Sequence, residues 1–376
     1  DVNRQRRISL LVNQWIVFLL LFELPAYYDL LTHYEPMAVG LGHPGTLGAF
    51  YARMGFCKWI FGQLDEAIEA ETRAIELCEA SGNVEDAGAA YLSLQWAHLL
   101  KGNYDKVLSL KNDVLRTLEE RFNPRWYAWA LAAASRAYSQ LGHWDQAVEE
   151  GQKELDAGEE FSDDSEISFA SWILSIAYTS KGEPGRAIEY AKLGVQKAPT
   201  PGDKVWAQTS LAWALCRAGE PSEGVRLLEV LIPMYRATRY VQGEIIAALL
   251  LGEGYWLVGH YHKAKRTLEE ALGAAERCGM RYYIGFAHRI LGEVALKTNP
   301  AQAASRFEQS INILREIRAE NELARAYAGY GRFHKQQGDI AKAREYLTKA
   351  LEIFERLGTL IEPDKVRRVL AELREG

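Results

Sequence analysis

The sequence predicts an all-α fold, a right-handed α-α superhelical solenoid of about nine helix-turn-helix repeats followed by a C-terminal capping helix. Two observations carry that expectation. A short glycine-led turn returns about every 40 residues, and the segments on both sides of each turn place apolar residues at helical spacing. A third agrees with them: Gly and Pro never cluster into a linker, so a chain of 376 residues shows no domain boundary. That length exceeds what one compact core normally holds, whereas a solenoid grows lengthwise because each repeat packs only on its neighbours.

The turns run Gly62-Gln-Leu-Asp-Glu-Ala67, Gly102-Asn-Tyr-Asp-Lys-Val107, Gly142-His-Trp-Asp-Gln-Ala147, Gly182-Glu-Pro-Gly-Arg-Ala187, Gly219-Glu-Pro-Ser-Glu-Gly224 and Gly259-His-Tyr-His-Lys-Ala264. A degenerate copy follows at Asn299-Pro-Ala-Gln-Ala-Ala304, and Gly338-Asp-Ile-Ala-Lys-Ala343 closes the series. Glycine after a helix supplies the left-handed conformation that a side chain resists, and the small residue five positions on lets the next helix pack closely. Seven residues before most turns stands another small residue (Gly55, Ser135, Ser175, Ala212, Gly252, Gly292, Gly331), with Gln95 the exception. Tyr138, Tyr178 and Tyr255, three residues later, are placed to fill the gap between paired helices. Counting one period back from Gly62 reaches Phe22, just before Leu24-Pro25, which makes an atypical first repeat over residues 1–43. Residues 44–360 then form eight repeats and residues 361–376 a charged capping helix.

These turns and packing positions resemble the tetratricopeptide repeat family, whose unit is a hairpin of about 34 residues. A period about six residues longer adds more than one helical turn per pair and implies a wider superhelix and groove. The segment Leu323 to Leu357, LARAYAGYGRFHKQQGDIAKAREYLTKALEIFERL, with Cys278-Gly279-Met280-Arg281 and Leu291-Gly292-Glu293 before it, is similar to the C-terminal arrays of bacterial signalling proteins. In those proteins a class III nucleotide cyclase or a transcription-factor output is coupled to an AAA/STAND-type ATPase. That resemblance implies a sensor or scaffold arm, with catalysis elsewhere in a parent protein. The chain itself has no GxxxxGK[ST] loop, and it opens on Asp1 rather than methionine, which reads as a piece of something longer.

Composition is globular, at 48% hydrophobic and 25% charged. A net charge of -6 with interspersed signs argues against nucleic acid as partner. Cys57, Cys78, Cys216 and Cys278 share no CxxC spacing and read as buried free thiols, which points to the cytoplasm. The apolar run Ile8 to Phe22 is interrupted at Asn13-Gln14 and falls short of the ~20 residues a membrane span needs. It reads as a buried helix of the first repeat.

Local clusters offer little chemistry. His260 and His262 lack a third ligand and read as polar residues on an exposed turn. Gly252-Glu-Gly254 has no preceding strand and reads as packing. Asp163, Asp164 and Glu166 suit a helix N-terminus. No set of Ser, Cys, His or Asp has catalytic spacing, so no enzyme, cofactor or metal is expected. The informative pattern is aromatic. In such solenoids the first helix of each pair lines the concave surface, and the inward positions gather Phe56, Trp59, Trp96, Trp129, Arg136, Trp172, Trp206, Trp213, Trp256, Arg289, Arg325, Arg332 and Lys335. The tryptophans form either an inter-helix core or an exposed aromatic groove that becomes basic toward its C-terminal end. The family's carboxylate clamp, with inward Asn and Lys on the first repeats, is not matched, because Phe56, Trp59 and Trp96 stand there. The expected function is a non-catalytic protein-interaction scaffold or regulatory arm of a larger bacterial signalling protein. Its partner is a protein or peptide segment, another domain of the parent among the candidates, held in the concave groove. The alternative is a small-molecule sensor that holds an inducer among the rings.

Overall fold

The computed structural model of the chain describes residues 2–21, 23–120 and 122–373; Phe22 and residues 374–376 of the expected cap lie outside them. Every regular element among the described residues is helical. Three helices lead in: α1 (Val2–Asn13), α2 (Trp15–Leu20) and α3 (Leu24–Leu41). Eight antiparallel pairs follow: α4 (Pro44–Ile60) with α5 (Leu64–Ser81), α6 (Val84–Leu100) with α7 (Tyr104–Glu120), α8 (Pro124–Leu141) with α9 (Trp144–Glu160), and α10 (Asp164–Lys181) with α11 (Pro184–Lys197). They continue as α12 (Pro201–Ala218) with α13 (Pro221–Ala237), α14 (Val241–Leu257) with α15 (Tyr261–Cys278), α16 (Arg281–Thr298) with α17 (Ala303–Glu316), and α18 (Glu320–Gln336) with α19 (Ile340–Leu357). A last helix, α20 (Glu362–Glu372), covers the end of the stack against α19 and α18.

The two helices of a pair differ because their surroundings differ. The second helix has one covered face: α19 buries only Ala343, Leu347, Ala350 and Phe354, an i, i+4, i+7, i+11 stripe. The first helix is enclosed on nearly all sides. In α8 every residue from Ala128 to Ala137 is buried, six of them alanine, so that neighbours can approach from several directions at once. Small residues set the closest approaches within pairs. A methyl group added at Gly252 would lie 2.4 Å from Leu268, and one at Gly292 2.8 Å from Phe307. Gln95 departs from this rule and takes a bridging role, its amide donating to the carbonyls of Val107 (3.1 Å) and Ala130 (3.2 Å).

Seven of the eight pair turns carry a glycine at positive φ, between 74° at Gly62 and 96° at Gly182 and Gly219. The degenerate copy is solved differently: Asn299 is extended at φ -155°, and a short 3-10 turn, Pro300–Gln302, leads into α17. The turns that join successive pairs form a second left-handed series at Gly42, Gly82, Ser162, Arg239, Gly279, Arg318 and Gly358. The one short period arises where α11 is trimmed and the extended stretch Ala198 to Pro201 replaces such a turn, with Thr200 and Asp203 forming a capping box on α12. Asp163 caps α10 by accepting from the Ser165 and Glu166 amides.

The apolar N-terminal run is divided between α1 and α2 and packs on α3 and α4. Ile8, Leu11 and Val12 are buried, and Tyr27 donates to the Leu11 carbonyl at 3.0 Å. Among the described residues no helix is long and apolar enough to cross a membrane.

Successive turns of the superhelix touch. A methyl group at Gly62 would lie 2.7 Å from Cys278 Sγ, one at Gly102 3.0 Å from Ile317, and one at Gly142 2.7 Å from Leu357. Each pair is separated by about 215 residues, so the coil closes a circuit in a little over five repeats. Hydrogen bonds seal the C-terminal end of this seam: the Leu360 backbone amide donates to the Lys181 carbonyl at 2.7 Å, and the Asn321 side-chain amide donates to the Ser180 carbonyl at 3.2 Å. The longer repeat therefore does not open a wide groove. Coil lies on coil, and the concave face becomes an axis enclosed by first helices.

Gly182→Ala and Gly259→Ala separate the seam from ordinary turn strain. Both glycines have positive φ, but a methyl group at Gly259 meets nothing within 4 Å, whereas one at Gly182 would lie 2.5 Å from the Leu360 carbonyl oxygen. Gly259→Ala should cost about 1–2 kcal/mol in urea unfolding, and Gly182→Ala clearly more. Equal losses would mean that residues 182 and 360 are not in contact.

Candidate functional site

The axis is lined by rings that follow one another from repeat to repeat. Trp15 lies edge-on to Phe56 at 5.4 Å between centroids, Phe56 is 5.5 Å from Trp59, and Trp59 is 5.8 Å from Trp96. Phe169 is the hub of the series, with Trp96 at 6.1 Å, Trp129 at 5.5 Å, Trp172 at 4.9 Å and Trp206 at 5.7 Å. Trp172 and Trp206 stack at 24°, and Trp206 meets Tyr240 edge-on at 6.0 Å. Apart from Trp15 on α2 and Tyr240 just before α14, each ring comes from the inward face of a first helix, where repetition about every 40 residues brings equivalent positions side by side. The rings are axial and also packed: Phe56, Trp59, Trp96, Trp129 and Trp213 are buried, while Trp172, Trp206 and Trp256 are half-buried.

They do not fill the axis completely. A cavity of about 80 Å³ remains, walled by Trp59, Trp96, Trp172, Trp206, Trp213 and Phe286 among others. That volume holds about half a dozen water-sized groups. The wall is mostly apolar, yet it includes polar atoms that find no partner: Trp59 Nε1, Trp96 Nε1, Gln242 Nε2, Gln140 Oε1 and Ser139 Oγ. Unsatisfied buried polar groups are rare in folded proteins because each carries a desolvation cost. Arg136 also lies on this wall. It is 9% exposed, donates to the Tyr283 hydroxyl at 2.6 Å, and its guanidinium lies 6.0 Å from the Trp172 ring centre.

Beyond the cavity the C-terminal half of the axis is ionic. Glu253 accepts from Trp213 Nε1 (2.9 Å), Arg217 (2.6 Å) and Arg289 (3.2 Å). Burial works against its charge, but the two guanidinium groups hold the Glu253 carboxyl below the usual carboxylate range. Arg289 also pairs with Glu322, Arg332 with Glu293, Lys335 with Glu372, and Arg325 with Glu362 at 3.2 Å. Each cation at the expected basic end of the groove is thus answered by a carboxylate of the chain itself. The reason lies in the same 40-residue register: most of these acids stand on the next first helix or on α20, a position that helical spacing within one repeat does not reveal.

Of the aromatic positions read as inward, Trp59, Trp96, Trp172, Trp206 and Trp213 reach the cavity wall, while Phe56, Trp129 and Trp256 stand apart from it. Several wall residues were not among the expected ones. Gln242, Tyr282 and Tyr283 lie one turn nearer the helix start than the inward positions Ile246 and Phe286, and extending that register by four residues would have reached Gln242 and Tyr282. Ser139 and Gln140 are short polar side chains with no distinguishing pattern.

The other clusters stay minor. His260 and His262 are exposed at the start of α15, and among the described residues no three His, Cys, Asp or Glu converge to hold a metal. Arg125 pairs with Glu166 at 2.7 Å, while burial pushes the Glu166 carboxyl up to about 7. All four cysteines are free; burial raises the Cys78 and Cys216 thiols to about 12, far from a reactive thiolate.

Comparison with known proteins agrees with this architecture. Residues 287–356 match the family model of the tetratricopeptide repeat. No curated protein matches the chain by sequence. Among solved structures, the Rap conjugation gene regulator of the plasmid pLS20 in complex with the Phr* peptide is 14% identical, with 95% of this chain and 97% of that one covered and a TM-score of 0.61. A Rap protein complexed with Competence and Sporulation Factor is 13% identical, with 99% and 98% covered and a TM-score of 0.58. The Cut9–Hcn1 hetero-tetramer of APC/C is 14% identical, with 98% of this chain and 78% of that one covered and a TM-score of 0.55. At these identities the likeness is one of fold.

Trp96→Ala measures how far the ladder is structural. The ring is 6% exposed and in contact with rings on both sides, so truncation should cost ~3–5 kcal/mol by denaturant titration. A loss near zero would place the ring in open solvent.

Proposed function

We propose, from the premise that this chain belongs to the tetratricopeptide-like repeat family, that it is a non-catalytic regulatory arm whose axial cavity receives an effector. Its outer helices carry the response to a protein partner or to another domain of a larger bacterial signalling protein in the cytoplasm. The observation that carries this reading is the set of unpartnered polar atoms gathered on the wall of one aromatic cavity. A wall built only for stability would satisfy those atoms or replace them with apolar groups.

A peptide or protein segment is one form of effector, supported by the two Rap structures of like fold, one of which holds a peptide and the other Competence and Sporulation Factor. To admit a segment, the touching coils would have to part, which the seam near Gly62, Gly142 and Gly182 resists. A small compact ligand is favoured by the size of the enclosed space: about 80 Å³ is far too little for a peptide segment, and about half of what a cavity needs to hold a benzene ring, so a ring enters only as wall side chains shift. In either form binding links to closure: a ligand that touches rings from five repeats stabilises the closed coil by its differential affinity for that state.

Ile246 lines the cavity and is half-buried, so Ile246→Phe should fill the space and leave the stack intact. Thermal-shift screening of the chain against short peptides and against small metabolites should find stabilisers that no longer act on Ile246→Phe. Stabilisers that act equally on both proteins would place the effector site elsewhere.

A further inference from the structure

The fixed charge on the cavity wall points to the kind of ligand that fits. Among the residues that line the cavity there is no aspartate or glutamate and one permanent cation, Arg136. Other buried arginines of this chain are paired: Arg53 with Asp86 at 2.6 Å, Arg289 with Glu253 and Glu322, and Arg325 with Glu362. Arg136 is the exception, with no carboxylate partner among the described residues. Its contacts are the Tyr283 hydroxyl and the face of Trp172. A guanidinium has five N–H donors in a planar fork, of which the Tyr283 bond uses one. Removing such a cation from water without an anion is costly.

The rest of the wall has the same polarity. Trp59 Nε1, Trp96 Nε1 and Gln242 Nε2 are buried donors without acceptors, against a single unpartnered carbonyl acceptor at Gln140 and the Ser139 hydroxyl, which can act either way. The stacked, half-buried rings of Trp172 and Trp206 belong to the same wall.

Resting on the reading of this cavity as the effector site, we propose that it binds a compact carboxylate with a flat apolar or aromatic body, the carboxylate on Arg136 and the body between the tryptophan rings. The shared chemistry has two sources, a free aromatic acid and the C-terminal aromatic residue of a peptide. Both place one planar anion beside one ring, and both match a fork-shaped donor better than a point charge would.

The test is calorimetric titration of the whole chain with benzoate and phenylacetate, with benzamide and phenylacetamide as neutral counterparts. The tripeptide Gly-Gly-Phe and its C-terminal amide form the peptide arm. The acids should bind at least tenfold more tightly than their amides in one arm, and that arm identifies the source. Arg136→Met should abolish the difference, and Arg136→Lys should restore part of it. The comparison of acid with amide on the unaltered chain stands even if an Arg136 variant fails to fold. Acids and amides that bind alike, or acids that do not bind, overturn the assignment of an anion to Arg136. If the neutral amides bind and lose their effect in Ile246→Phe, the axial effector site survives that failure. If other peptides and metabolites also fail to bind, both fall.

Discussion

Contact between successive coils is the constraint on which the rest of this structure depends. A repeat of helix pairs can spiral with its coils apart, leaving a broad concave face open to solvent, or can close until one coil rests on the next. Here the pair turns at Gly62, Gly102 and Gly142 meet residues about 215 positions further along, Gly182 meets Leu360, and the Leu360–Lys181 backbone bond fastens the end. Closure converts the concave face from a surface into an interior. The first helices must then be buried on nearly every side, which explains their alanine content, whereas the second helices keep one apolar stripe and a polar outer face.

An interior axis obeys the rules of a core, and its two halves satisfy them differently. Toward the C-terminus charges are present but matched: Glu253 lies among Arg217, Arg289 and Trp213, and the cations of α18 meet acids on neighbouring helices. Toward the middle the axis is filled with rings, and matching is incomplete around one cavity. That contrast within one molecule gives the cavity its significance. Buried polar atoms without partners occur elsewhere too, as at Trp144 and Glu154, but the same chain supplies carboxylates for its other buried arginines, so the isolation of Arg136 is what sets this wall apart. Strain of this kind is expected where a ligand completes the hydrogen bonding.

Much of the fold was legible because it depends on local chemistry. Glycine at the pair turns, small residues at the contact positions and Asp163 at the start of α10 each follow from backbone geometry that one residue type serves best. The joining turns were less visible, since Ser162, Arg239 and Arg318 adopt the left-handed conformation that glycine holds at Gly82 and Gly279. The aromatic stripe was legible as a row of inward positions, but core and groove stayed open as alternatives, because the rings are covered by one another across neighbouring repeats. For the same reason Arg325, Arg332 and Lys335 read as a basic groove: their partners Glu362, Glu293 and Glu372 lie 37 to 39 residues away, in a neighbouring element. Arg136, identified as inward, gained its meaning only from the absence of carboxylates around the cavity.

Closure can be tested with a single added thiol. Cys278 is free and partly exposed, while the other three cysteines are buried. A Cβ at position 62 would lie 3.6 Å from Cys278 Cβ, within the ~3.5–4.5 Å spacing of disulfides. The closed superhelix predicts that Gly62→Cys, under mild oxidation, forms an intramolecular bond between residues 62 and 278, seen as faster migration without reductant and as one cross-linked peptide by mass spectrometry. Two thiols that stay free, or that join only between molecules, would contradict contact between the coils and with it the enclosed axis.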